Sequence, residues 1–134
     1  MRLLKGSERV TITSKAPGKL FIAGEYAVVE PGHDAIVAAV SRYLTVTIDE
    51  ATSVGTVTST QNPDMIVEWT REGELFRAKG EHPYKLVEEA ILVAEQYVRE
   101  SGKETFALYS LSITSELDDA RRGIKYGLGS SGAV

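Results

Sequence analysis

Over much of the first 80 residues, apolar and β-branched positions alternate with polar ones, a period of two that predicts strands. Val10-Thr11-Ile12-Thr13 opens the pattern. Ala16-Pro17-Gly18 interrupts it, since proline lacks a donor and glycine weakens a strand. The run Leu20-Phe21-Ile22-Ala23 resumes it as a buried strand. A turn at Glu30-Pro31-Gly32-His33 then leads to two more strands, 35–40 and 43–49. In the second, Leu44, Val46 and Ile48 share one face, and Thr45, Thr47 and Asp49 the other. Segment 55–60 is a weaker strand. Segments 66–70 and 75–78 flank Arg71-Glu72-Gly73-Glu74, which predicts a hairpin with Gly73 at positive φ. Trp69 is expected to pack on a sheet face.

The period changes once. Over 83–101, Val87, Ala90, Ile91, Ala94, Tyr97 and Val98 recur at three- and four-residue spacing, which predicts one long helix. Lys85, Glu88, Glu89, Glu95 and Arg99 are assigned to its other faces. Pro83 suits the first turn and Gly102 the stop. A strand over 106–114 carries Leu108, Leu111 and Ile113. A polar segment, 115–125, leads to a closing Gly-Ser loop. Strands, one long helix, then a strand into a glycine-rich loop make an α+β chain of one domain, 1–134, without repeats or linkers.

Composition narrows the function classes. Apolar residues are 43% and charged residues 25%, as in an ordinary globular domain. The net charge of −4 gives no basic surface for nucleic acid or membrane, so neither partner is expected. With no cysteine there is no disulfide framework or thiolate metal site, which suits a reducing cytoplasm. The start, Met1-Arg2-Leu3-Leu4-Lys5-Gly6-Ser7-Glu8, is too poor in apolar residues for a signal peptide.

Two stretches carry chemistry. Lys125-Tyr126-Gly127-Leu128-Gly129-Ser130-Ser131-Gly132 combines backbone freedom, two hydroxyls and a flanking cation. Glycines let a backbone approach an anion closely, and N–H groups at a helix start favour phosphate. Without other motifs, the same residues read equally as a flexible Gly-Ser tail. The loop is no Walker A sequence, lacking Lys-Ser or Lys-Thr after its last glycine. The second stretch is Lys15-Ala16-Pro17-Gly18-Lys19-Leu20-Phe21-Ile22-Ala23-Gly24-Glu25-Tyr26. There Lys19 is either a point charge for a phosphoryl group or a surface lysine that starts a strand. His33 and His82 read as solvated loop histidines. Glu116, Asp118, Asp119, Arg121 and Arg122 read as a solvated loop able to order over a nucleotide.

Taken together, Ala16-Pro17-Gly18-Lys19 with Gly24-Glu25-Tyr26, followed about 100 residues on by Gly127-Leu128-Gly129-Ser130-Ser131, resemble the GHMP kinase superfamily. Gly24-Glu25-Tyr26-Ala27-Val28-Val29-Glu30-Pro31-Gly32 and Lys125-Tyr126-Gly127 resemble its bacterial phosphomevalonate kinase branch. The loop departs from the pattern in lacking a preceding proline and in having Gly132 where alanine is common.

The resemblance implies an α+β N-terminal domain related to ribosomal protein S5 domain 2, incomplete here and truncated after the phosphate-binding loop, with the C-terminal domain and its aspartate absent. It implies an ATP-dependent kinase acting on 5-phosphomevalonate, with this piece inactive alone. Lys19 becomes catalytic and substrate-binding, and Glu25 and Tyr26 substrate-binding. Lys125, Tyr126, Gly127, Leu128, Gly129, Ser130, Ser131 and Gly132 become ATP-binding. Ser131 is the choice for Mg²⁺, with Ser130 the alternative. Losing the helix after the loop is expected to expose apolar sheet surface. Other readings are mevalonate kinase or another GHMP kinase, and a non-catalytic S5-like nucleotide- or RNA-binding module.

Overall fold

The computed structural model describes residues 10–73, 75–102 and 107–134. The expectations for Met1 to Glu8, for Glu74 and for Phe106 lie outside them. Five strands precede the helix: β1 (Thr11–Ala23), β2 (Ile36–Ala51), β3 (Gly55–Ser59), β4 (Ile66–Glu72) and β5 (Leu75–Ala78). Helix α1 (Lys85–Glu100), β6 (Leu108–Ser115), the short strands β7 (Asp118–Asp119) and β8 (Ile124–Lys125), and the one-turn helix α2 (Ser130–Ala133) follow. Six strands form one sheet in the order β1-β2-β6-β3-β4-β5. Its pairings are antiparallel except β3 with β6. The expected α+β class holds.

Two expected interruptions are absent. Ala16-Pro17-Gly18 does not end a strand; β1 runs through it. Segments 35–40 and 43–49 likewise join in one strand. The sequence signal marks a bulge instead. Pro17 stands opposite Tyr43 but Gly18 opposite Val40, so Ser41 and Arg42 are extra on β2. A bulge bends the ribbon without breaking it. Below this point β2 no longer pairs with β6, whose ladder spans Leu44 to Ala51.

The core lies between the sheet and α1. Trp69 is fully buried, Leu117 is 1% exposed and Val57 2%. Trp69 packs on the sheet as expected, because β3 has a glycine beneath it. A Cβ on Gly55 would sit 2.1 Å from the indole. The indole stacks on Phe76 at 4.5 Å and donates to the Tyr109 carbonyl at 3.1 Å.

Helix α1 differs from expectation at three positions. Ala94 and Tyr97, assigned to the apolar stripe, are exposed, Tyr97 at 72%, whereas Glu95, assigned to an outer face, is 4% exposed. Val87, Ile91 and Glu95 form the inward row. The polar member is satisfied there. Arg71 of β4 donates to both Glu95 oxygens, at 2.8 and 2.9 Å, and the Tyr109 hydroxyl donates at 2.8 Å. His82 is also not solvated. Its side chain is 3% exposed and its Nδ1 accepts the Tyr84 N–H at the start of α1. His33 is exposed, as expected. Gly73 takes φ +63 in the β4–β5 turn, as the hairpin requires.

Candidate functional site

The polar segment 115–125 folds as a small hairpin, β7 against β8, rather than as an open loop. Its anchor is apolar: Leu117 plugs into the core. The Gln61 amide donates to Asp118 and ties the hairpin to the β3–β4 turn. Lys125 ends β8. It lines a cleft of about 330 Å³ with Gln61, Asp118, Asp119 and Ser130.

The glycine-rich segment follows directly. Gly127 and Gly129 adopt φ +69 and +70, in the left-handed region that L side chains avoid. Gly129 is the N-cap of α2. The first amides of a helix have no acceptor within it, and in α2 these belong to Ser130 and Ser131. The Gly132 N–H already donates to the Gly129 carbonyl at 3.0 Å. At four residues α2 is too short for a macrodipole of consequence. Anion affinity here therefore rests on individual N–H groups, the hydroxyls and nearby cations.

The structure brings Lys19 to this loop. The Lys19 N–H donates to the Leu128 carbonyl at 2.9 Å, joining β1, just past the bulge in its partner β2, to the loop. The lysine side chain then runs along the glycines. A Cβ on Gly129 would lie 2.9 Å from Lys19 Cγ, and one on Gly132 would lie 3.8 Å from Nζ. The ammonium also sits 5.6 Å from the Phe21 ring centroid. One glycine thus provides the turn and the room for the lysine.

Leu128 acts differently from its neighbours. Its side chain packs against the core and its carbonyl is taken by Lys19, so it anchors the loop. Gly18, which the sequence presents only as part of the Lys19 motif and of a strand interruption, makes this approach possible. A Cβ there would meet Leu117 Cδ2 at 2.6 Å and the Leu128 carbonyl at 3.1 Å. Only the Pro-Gly pair hinted at it.

Glu25 and Tyr26 stand apart from this cluster, beyond the far end of β1. Tyr26 is 84% exposed and caps the short 3-10 turn Ala27–Val29. The bend before them needs Gly24, at φ +80, where a Cβ would strike the Asp34 carbonyl at 2.3 Å. On the other side of the loop, Ser130 and Ser131 border a cleft of about 200 Å³ with Pro83, Tyr84 and Leu86. Beside it, an apolar groove of about 210 Å³ runs between sheet and helix, lined by Leu44, Val46, Ile48, Val87, Ile91 and Val134.

No protein-family model matches the chain. Its sequence is 38% identical over 139 residues to phosphomevalonate kinase of Streptomyces sp. (strain CL190), covering 92% of this chain and 35% of that enzyme. Its fold superposes on a Lin0012 protein from Listeria innocua with a TM-score of 0.74 and 41% identity, over 92% of this chain and 33% of that one. It superposes on Streptococcus pneumoniae phosphomevalonate kinase, solved with phosphomevalonate and AMPPNP, with a TM-score of 0.69 and 28% identity, over 91% and 33%. The chain spans about a third of the length of these relatives. In sequence and in fold it is similar to phosphomevalonate kinases over about a third of their length, and its mixed sheet with few helices matches the GHMP kinase N-terminal domain fold.

Proposed function

We propose that this chain supplies the phosphate loop and the reactive-centre lysine of a cytoplasmic phosphomevalonate kinase, which moves the ATP γ-phosphoryl onto the phosphate of 5-phosphomevalonate. The observation that carries this reading is the contact of Lys19 with Leu128 and Gly129, which sets a cation beside the positive-φ glycines and the first amides of α2. Phosphoryl transfer asks mainly for positioning and charge neutralisation. Amides at the start of α2 hold ATP phosphates, and the Lys19 ammonium neutralises the acceptor phosphate and the transferring group. Glu25 and Tyr26, across the bend, bound the acceptor side, while Lys125 and Tyr126 flank the nucleotide.

Among the described residues no cluster of three or more His, Cys, Asp or Glu could hold a metal alone. A Mg²⁺ ion fits only as a partner of the nucleotide, completed by a hydroxyl oxygen, for which Ser131, or else Ser130, is suited. Bound there, it neutralises phosphate charge. The net charge of −4 supports a small-molecule substrate over an RNA.

Calorimetric titration with Mg·AMPPNP, then with 5-phosphomevalonate against mevalonate, tests the reading. Gly129→Ala forces a side chain into a left-handed position, at about 1–2 kcal/mol, and displaces Lys19. Nucleotide binding is expected to weaken about tenfold or more, and Lys19→Ala to weaken binding of the phosphorylated acceptor. No binding by the unaltered chain, a preference for mevalonate, or unchanged affinities in both variants would count against it.

A further inference from the structure

The bulge in β2 has a second product, Arg42. Extra residues in one strand re-aim a side chain, and Arg42 is one of the two with no partner on β1. Its guanidinium lies over the Tyr126 ring, 5.3 Å from the centroid. Its Nη1 also donates to the Glu116 carbonyl at 3.3 Å. The next residue, Tyr43, grips Glu116 twice. Its N–H donates to the Glu116 carboxylate, and its carbonyl accepts the Glu116 N–H, both at 2.9 Å.

Glu116 and Tyr126 are the two ends of the excursion that contains the β7–β8 hairpin. One arginine therefore closes that excursion at its neck. Tyr126 also precedes Gly127, a positive-φ glycine with open space around it, and Leu128, held by Lys19. A single swivelling residue thus separates two anchors. The anchor at Leu128 fixes the far side of Gly127, and the arginine–tyrosine stack fixes the near side.

We infer that Arg42 is a positioning residue for the phosphate loop, clamping Tyr126 and Glu116 so that Gly127 to Gly132 are held in the anion-accepting form before nucleotide arrives. This inference rests on the phosphate-loop reading for its functional consequence, but not for its geometry. A clamp of this kind reduces the ordering cost of binding.

The test uses the 134-residue chain with two readouts. Amide hydrogen exchange without ligand is expected to speed up over 126–132 in Arg42→Ala and in Tyr126→Leu, with β3 and α1 unchanged. Arg77→Ala, which removes an exposed arginine of β5, serves as control and leaves loop exchange as it was. Mg·AMPPNP affinity is expected to fall about two- to fivefold in each variant. The double variant should fall no further than the worse single, and Arg42→Lys should recover part of the loss. Loop exchange equal to that of the unaltered chain in Arg42→Ala, or additive losses in the double variant, overturns the inference. Faster loop exchange in an unaltered-fold variant, with no nucleotide binding by the parent chain, upholds the clamp and overturns the proposed function instead.

Discussion

Replacing Gly18 by alanine adds one methyl group at a crowded point of the candidate site. The new Cβ would lie 2.6 Å from Leu117 Cδ2 and 3.1 Å from both Val40 Cγ2 and the Leu128 carbonyl. Leu117 has little room to retreat, being 1% exposed. Overpacking of this kind costs about 1–3 kcal/mol. If the Leu128 carbonyl also yields, its bond to the Lys19 N–H is stretched, at a further cost of about 0.5–1.5 kcal/mol. A loss of about 2–4 kcal/mol is therefore expected, a large share of a small domain's stability. Trp69, the sole tryptophan and fully buried, reports unfolding by its fluorescence. In urea the midpoint should fall by about 1–2 M. Leu117→Val trims the clashing carbon, so Gly18→Ala and Leu117→Val together should cost less than the two changes added. A midpoint within about 0.3 M of the parent, or strict additivity, would refute the claim that Gly18 is selected by this contact.

The buried polar cluster supports two further predictions. Glu95→Ala leaves the Arg71 charge buried without its carboxylate, and should lower stability by about 3–5 kcal/mol in urea unfolding; a loss under about 1 kcal/mol would show the pair to be solvated. Burial, reinforced by its bond to the Glu95 carboxylate, raises the Tyr109 pKa well above the ordinary 10.0. The folded chain then holds a proton that the unfolded chain releases, so stability is intact below pH 10 and declines as pH rises beyond it. The decline approaches about 1.4 kcal/mol per pH unit. Tyr109→Phe should reduce that alkaline slope in denaturation curves at pH 9 to 11, leaving the contribution of Tyr84, whose pKa burial also raises, and an unchanged slope would place its origin elsewhere.

The elements that could be read from sequence are those with local causes. Helix α1 shows in its 3.6-residue period, and the β4–β5 hairpin in Gly73. Glu95 could not be placed inside, because a carboxylate on a helix looks the same whether it faces water or Arg71. Only the fold brings in the arginine, 24 residues away. His82 was misplaced for the same reason: its burial depends on what packs over the start of α1, not on its neighbours in the chain. Leu117 was hidden in a polar segment, where one leucine among charges carries no periodicity.

The candidate site divides along the same line. The groups proposed to meet phosphate could be named from the sequence because glycines, serines and a lysine near an anion follow chemical demands that local motifs express. The site's supports could not be, since each joins distant parts of the chain: Gly18 meets Leu117, Lys19 meets Leu128 and Arg42 meets Glu116, 74 residues on. All three supports come from the bulged part of the β1–β2 ribbon. Pro-Gly in a strand signals equally a break or a bulge, and only the partner strand decides between them. Here β2 continues past Pro17 with two extra residues. The ribbon keeps its hydrogen bonds, turns its backbone toward Leu128 and frees Arg42. A true break at Pro17 would have left Lys19 on a loop, with no fixed distance to the glycines. The feature that obscured the strand in the sequence is therefore the one that sets Lys19 and the glycine-rich loop side by side.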